Sequence, residues 1–256
     1  MPVNLGYRAY QILWAGLDYL YPPDCGGCEQ RGMRWCNTCH SATQVFTPPL
    51  CRICGQSQPH DGICGRCRRE QHSYTALRSW AVFGDQIRAA IHKLKYKRDV
   101  GLGEALSKPM IQALLRLDWH FDVILPVPLG LARLQERGYN QAALLARPIA
   151  LFFQVPYQTR FLKRVRETRS QVGLSLSERI ENVSGAFQAY PQAVAGKNML
   201  VIDDVTTSGS TLDACAHALI ESGANRVYGF TLARAVFSNH NSTNDGEYQV
   251  SFNEFS

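Results

Sequence analysis

No run in these 256 residues approaches the roughly 18 consecutive apolar residues that a membrane span needs. The start, MPVNLGYRAYQILWAGLDYLYPP, has no basic stretch followed by a continuous apolar block. It is therefore not expected to act as a signal peptide, and the chain is expected in the cytoplasm. Neither sign of charge dominates: the net is +6, a balance that permits an anionic partner without demanding one. Cysteine is all but missing beyond residue 67, where only Cys215 occurs, placed as plain core on the apolar face of a predicted helix. No lysine follows the glycine of VTTSGST, residues 205–211, which excludes a Walker-type phosphate loop.

What is present divides the chain. Leu5, Ile12, Leu13, Leu17 and Leu20 recur near helical spacing and predict a short amphipathic helix in residues 1–23, ended by Pro22-Pro23. Its apolar face is expected to pack on its own protein rather than on a membrane surface. In residues 24–72, eight of the nine cysteines form four CxxC pairs: Cys25/Cys28, Cys36/Cys39, Cys51/Cys54 and Cys64/Cys67. A CxxC turn presents two thiolates to one ion, and two such turns complete a tetrahedral all-sulfur site for zinc. Thioredoxin-like redox chemistry needs one CxxC opening a helix in a βαβ unit, not four in a Gly- and Arg-rich segment. Two structural zinc ions are expected. The pairs combine either sequentially, first four then last four, or cross-braced, first with third and second with fourth. A segment this short cannot build its own core, so the metal stands in for one.

Residues 76–236 read as an α/β domain. ALRSWAVFG, FDVILPVP, NMLVIDD and RVYGFTLARA are predicted strands, with RFLKRVR a short one. DQIRAAIHKLKYKRD places Ile87, Ile91 and Leu94 on one helical face. LGEALSKPMIQALLRL is helical with a kink expected at Pro109, and YNQAALLARPIALFF is helical with an interruption expected near Pro148. TLDACAHALIESG is a helix closed by Gly223. Alternating strands and helices predict a mostly parallel sheet flanked by helices. Residues 237–256 are polar and irregular and read as a mobile tail.

The chemistry concentrates in VIDDVTTSGSTL, residues 201–212. In an open α/β sheet, ligands bind at the carboxyl ends of strands, where Asp203 and Asp204 fall. The loop that follows opens a helix, so its backbone N–H groups form an anion cradle, to which Thr207, Ser208, Ser210 and Thr211 add hydroxyl donors. Gly209 lets the backbone approach a ligand. The carboxylates can accept hydrogen bonds from vicinal hydroxyls or help to hold a divalent cation. Phosphate and diol together describe a ribose 5-phosphate. A strand ending in an N-cap explains one Asp and one hydroxyl, not a pair of carboxylates followed by four hydroxyls and a glycine.

MLVIDDVTTSGST, residues 199–211, resembles the phosphoribosyl-diphosphate (PRPP) loop of type I phosphoribosyltransferases. ILPVPLGLARLQERGYNQAALLA (124–146) resembles the pyrophosphate-loop region of the ComF/GntX-like family, and LKRVRETRSQVGLSLSERIENVSGAF (162–187) its flexible-loop region. LDYLYPPDCGGC resembles that family's entry into a double zinc ribbon. The resemblance implies a type I phosphoribosyltransferase-like parallel sheet behind a small N-terminal double zinc ribbon. It implies Mg2+ with PRPP, or a related phosphoribosyl ligand. Asp203 and Asp204 match the acidic pair that holds the ribose hydroxyls and serves catalysis. Thr207, Ser208, Gly209, Ser210 and Thr211 match the 5-phosphate binders. Pro126, Val127 and Pro128 match the turn of the pyrophosphate loop, from which Arg133, Arg137 and Asn140 are aimed at pyrophosphate. Arg164, Arg166, Thr168, Arg169 and Gln171 match the loop that closes over the ligand and excludes water.

Two functions follow from the resemblance. One is a role in DNA uptake during natural transformation, with a helicase-like partner and recombination mediators. The other is an active phosphoribosyltransferase of nucleotide metabolism, with an unidentified acceptor and no DNA role. No base-reading hood and no base-specific acid or base stands out. An amidophosphoribosyltransferase is not expected, because it needs a glutaminase domain with an N-terminal Cys nucleophile, and residue 2 is Pro with no such domain read in the sequence. For single-stranded DNA, HKLKYKRD clusters Lys93, Lys95, Lys97 and Arg98 around Tyr96, so phosphates meet charge and a base can stack. Arg66, Arg68 and Arg69 form a second basic cluster at the ribbon. Lysines at a solvated helix end explain the first cluster equally well.

Overall fold

The computed structural model describes residues 5–168 and 175–236. Helix α1 (Leu5–Leu20) is followed by α2 (Asn37–Ala42) and α3 (Gly65–Arg69), each of which opens at a ligand cysteine, Cys36 and Cys64. The α/β part then runs β1 (Ala76–Val82), α4 (Asp85–Tyr96), α5 (Gly101–Leu114), β2 (Val123–Pro126), α6 (Leu131–Arg137) and α7 (Gln141–Phe153). It continues with β3 (Leu162–Arg164), α8 (Leu176–Val183), β4 (Phe187–Ala189), α9 (Pro191–Val194), β5 (Asn198–Thr206), α10 (Ser210–Glu221) and β6 (Arg226–Arg234).

Four strands form a parallel sheet in the order β1-β6-β5-β2, and β3 and β4 pair as a separate antiparallel ribbon. β5 is buried on both faces, as a central parallel strand must be. Its alternate residues Leu200 and Ile202 join Ile91, Leu106, Leu145 and Phe230 under α4, α5 and α7. Met199 and Val201 face the other way, onto Leu212, Cys215 and Leu219 of α10. β5 also outruns its expected end: Val205 and Thr206 still pair with Ala233 and Arg234, so the two aspartates lie inside the strand. Gly223 (φ +95°) directly follows the last turn of α10 and closes it, as read from the sequence.

The interruption expected at Pro148 does not occur. α7 is one helix from Gln141 to Phe153 with Pro148 inside it, and α5 is one helix through Pro109. Packing compensates for the lost hydrogen bond. α5 passes α7 at Gly103, where a Cβ would stand 2.7 Å from the Leu144 Cβ, so glycine lets the two helices close on the core.

The expectation for α1 is also corrected. It docks through the opposite face: Tyr7 packs edge-on against Phe152 at 5.3 Å, and Arg34 lies 5.1 Å over the Trp14 ring while pairing with Asp18 at 2.7 Å. Leu5, Ile12, Leu13, Leu17 and Leu20 stay exposed. The aromatic and ionic contacts with Arg34, itself tied to Asp99 at 2.7 Å, decide the helix's rotation over its leucine stripe. Among the described residues, no helix is long and apolar enough to cross a membrane.

Candidate functional site

The eight cysteines gather sequentially, Cys25, Cys28, Cys36 and Cys39 in one group and Cys51, Cys54, Cys64 and Cys67 in the other, which decides against cross-bracing. Within each group the Sγ atoms lie within 4.8 Å of one another, with Cys28–Cys36 at 3.6 Å and Cys54–Cys64 at 3.8 Å. A tetrahedral zinc with Zn–S of about 2.3 Å places its sulfurs about 3.8 Å apart, so both groups fit the ion. Backbone N–H groups of Gly27 and Cys36 donate to the Cys25 sulfur, each at 3.4 Å. Burial alone would raise the Cys25 thiol, but N–H donors outweigh it and bring it to about 6. Cys39, buried among the other three sulfurs, is pushed up. Four such thiols can ionise together only around a cation.

Each group is fastened to the α/β part. Lys93 donates from Nζ to the Cys25 carbonyl at 3.0 Å. Around the second group, the Leu77 N–H donates to the Ile53 carbonyl at 2.7 Å, and buried Arg234, the last residue of β6, donates to the Cys54 carbonyl at 2.5 Å. Arg66, inside the fourth CxxC, donates from Nη2 to the carbonyl of Ser208 at 2.8 Å.

Ser208 belongs to the loop after β5. Gly209 has φ +89°, the left-handed conformation that glycine adopts without steric cost, and it immediately precedes α10. A Cβ there would stand 3.1 Å from Leu77 Cδ2 and 3.3 Å from the Tyr74 hydroxyl, so the loop is packed tightly from behind. The hydroxyls of Ser208 and Ser210 are 2.7 Å apart, and the Ser210 N–H donates to Ser208 Oγ at 3.3 Å. Arg179 of α8 donates to Thr207 Oγ1 at 3.3 Å. Two guanidinium groups thus flank a loop whose amides open a twelve-residue helix, an arrangement suited to a phosphate. On its other side the loop lines a cleft of about 640 Å³ between the ribbon's exit, α8 and α10, bounded by His72, Phe187 and Asp213 among others.

The acidic pair stands at the front. The Asp204 N–H donates to Asp203 Oδ1 at 2.9 Å. Asp204 is 4% exposed, its Oδ2 lies 2.6 Å from Lys95 Nζ, and its Oδ1 accepts from Gln141 Nε2 at 3.3 Å. Burial alone would raise the Asp204 carboxyl, but Lys95 outweighs it and holds it below the usual range. Enclosure and the neighbouring Asp204 charge hold Asp203 well above that range. One carboxylate of the pair is therefore charged and the other favours its proton.

The residues expected at pyrophosphate divide. Pro126 ends β2, and the Val127 N–H donates to the Ile202 carbonyl at 2.8 Å. Asn140 uses both ends of its amide, donating to the Val127 carbonyl at 2.8 Å and capping α7 through the Ala142 N–H at 3.0 Å, so it braces the loop. Arg137 donates to Gln141 Oε1 at 3.0 Å and stacks on Tyr96 at 5.0 Å. Arg133 is half-buried on α6. In the segment expected to close over a ligand, Arg164 bonds Thr168, and Arg166 donates to the carbonyls of Ser184 at 2.6 Å and Asn182 at 3.0 Å, at the end of α8. Glu167 accepts from the Leu131 N–H at 2.6 Å and so joins that region to the start of α6. Arg169 and Gln171 lie outside the described residues, as does the 237–256 tail.

The side chains of the basic stretch do not form one exposed surface. Lys93 pairs with Glu29 at 3.3 Å and with the Cys25 carbonyl, and Lys95 is held by Asp204. Lys97 and Arg98 are exposed, and Tyr96 is 43% exposed beneath Arg137. Sequence patterns do not single out Gln141, Glu167 or Arg179. Gln141 follows Asn140 in the Arg-Gly-aromatic-Asn-Gln run, which is the signal available for it. Glu167 and Arg179 have none beyond their place within residues 162–187.

A double zinc ribbon domain matches residues 16–68. The DNA utilization protein YhgH of Escherichia coli (strain K12) is 31% identical over 207 residues, spanning 78% of this chain and 90% of that protein. Competence protein F of Haemophilus influenzae is 28% identical over 222 residues, spanning 82% of this chain and 90% of that protein. Among solved structures, glutamine PRPP amidotransferase from B. subtilis, complexed with ADP and GMP, is similar at 19% identity and a TM-score of 0.39. That similarity spans 55% of this chain and 30% of the other.

Proposed function

This chain belongs to the family of the DNA utilization protein YhgH and competence protein F, and from that premise we propose that it binds PRPP or ribose 5-phosphate with Mg2+ and acts in the cytoplasm in DNA uptake, beside a helicase-like partner. The observation that carries the ligand is the junction of β5 and α10. There a left-handed Gly209 turns the hydroxyl loop into a helix N-terminus five residues beyond two adjacent carboxylates. The loop suits a 5-phosphate. The carboxylates suit the ribose hydroxyls and help to hold Mg2+, whose role is to neutralise the ligand's phosphates. Arg66 and Arg179 add positive charge at the phosphate end, and zinc in the two four-cysteine groups serves folding. The DNA role is supported by the names of the relatives.

Calorimetric titration with PRPP and Mg2+ tests the ligand. Binding is expected in the wild type, and Asp203→Asn with Asp204→Asn should weaken it at least about tenfold, since each lost charged hydrogen bond costs roughly 1.5–3 kcal/mol. Undiminished affinity in the double variant overturns the assignment of the acidic pair. Absence of binding in the wild type overturns the ligand.

A further inference from the structure

Of the basic stretch, Lys95 alone among the described residues touches the acidic pair, with Nζ 2.6 Å from Asp204 Oδ2 and the two side chains 20% and 5% exposed. A ligand that uses both carboxylates must first deal with this ammonium. The surroundings of Lys95 all lead to one place. The Leu94 carbonyl accepts from the Tyr139 hydroxyl at 2.6 Å, the ring of Tyr96 carries Arg137 at 5.0 Å, and Gln141 joins Arg137 to Asp204. The end of α4 is thus clamped to residues 137–141, the segment that continues from the pyrophosphate loop. Lysine is a point charge on a flexible four-carbon stem, able to serve two acceptors in turn.

We propose that Lys95 is a two-position residue that selects for a ligand carrying pyrophosphate. In the empty site it neutralises Asp204, which two adjacent carboxylates require. When ribose hydroxyls and Mg2+ take over the carboxylates, it turns to the pyrophosphate beside residues 137–141. A ligand without pyrophosphate must displace the same ammonium and offers it no acceptor. Lys95 therefore opposes ribose 5-phosphate and favours PRPP, a differential affinity of the kind that a shift between two states requires. The inference rests on the phosphoribosyl reading above and assigns Lys95 to positioning and specificity.

The test titrates PRPP and ribose 5-phosphate, each with Mg2+, into wild type, Lys95→Met and Lys95→Arg. In Lys95→Met, PRPP affinity is expected to fall roughly tenfold and ribose 5-phosphate affinity to rise several-fold, with Lys95→Arg keeping most of the wild-type preference. Equal changes for the two ligands, or none, overturn the inference while leaving the phosphoribosyl reading intact. Failure of the wild type to bind either ligand removes that reading itself. Because Lys95→Met leaves a buried carboxylate bare, the same ratio is measured in Asp204→Asn and in Asp204→Asn/Lys95→Met. The preference for PRPP must be smaller in the double variant than in Asp204→Asn alone, and an unchanged ratio overturns the role of Lys95 at pyrophosphate.

Discussion

The guanidinium of Arg66 donates to the carbonyl of Ser208 at 2.8 Å, joining the fourth CxxC turn to the hydroxyl loop after β5. Arg66 lies between two ligands of the second four-cysteine group, so the ion that fixes Cys64 and Cys67 also fixes the start of this bridge. Loss of that ion through Cys64→Ser is expected to raise hydrogen exchange in residues 207–212 and to weaken ligand binding. Arg66→Ala, with both ions kept, should reproduce the loss of affinity at about 1–3 kcal/mol. Exchange in the loop that is indifferent to both changes would show that the ribbon and the loop are neighbours without coupling.

Two zinc ions per chain are expected, because each group places four sulfurs at spacings suited to a tetrahedral ion and each is too small to fold unaided. Elemental analysis of protein purified without added metal checks the count. A value of one, or of zero with intact disulfides, rejects the two-site arrangement.

The two aspartates should respond oppositely to neutralisation. Asp204, held below the usual carboxylate range by Lys95, contributes stability that is present above the ordinary value of 3.8 and lost as pH falls through its depressed value. Asp203, held above that value, binds its proton more tightly folded than unfolded, so stability declines as pH rises from 3.8 through its raised value. At neutral pH, Asp203→Asn is expected to stabilise the ligand-free chain by about 1 kcal/mol, and Asp204→Asn to destabilise it by roughly 1–3 kcal/mol. Both should weaken ligand binding. Thermal melts at pH 4 and pH 7 decide the matter. Equal shifts of the same sign in the two variants would contradict the division of charge within the pair.

How much of this was legible in sequence depends on distance along the chain. The CxxC pairs, the apolar run of β5 and the hydroxyl loop with Gly209 are local patterns, each carrying its own geometry, and the structure keeps all three. The sequential grouping of cysteines was not legible, since spacing alone permits two pairings. The role of Lys95 was hidden for another reason. A lysine near a helix end reads as solvated until the fold brings that end against β5, and nothing in HKLKYKRD marks which cation turns inward. The leucine stripe of α1 misled because periodicity identifies an apolar face without saying what covers it. Arg34, distant in sequence, set the rotation through Trp14 and Asp18.

The fold also redraws the DNA test. Lys93 is held by Cys25 and Glu29, and Lys95 by Asp204, so neither offers its charge freely to a passing backbone. Lys97 and Arg98 are exposed beside Tyr96, whose ring is 43% exposed. If single-stranded DNA tracks this end of α4, the slope of log affinity against log salt should be about −0.7 for each phosphate neutralised. Neutralising Lys97 and Arg98 should reduce the slope by roughly one to two units, with little dependence on base sequence. Tyr96→Ala should cost about 1–3 kcal/mol through lost stacking, and it also frees Arg137. PRPP affinity should be nearly unaffected by the Lys97 and Arg98 changes, because those side chains do not meet the acidic pair. It should shift in Tyr96→Ala, which disturbs the Arg137–Gln141–Asp204 chain. A slope unchanged in the Lys97/Arg98 variant would move the DNA contact to Arg68 and Arg69, exposed on the ribbon. Negligible DNA affinity at physiological salt would instead count against the DNA reading and leave the proposed phosphoribosyl site standing without it.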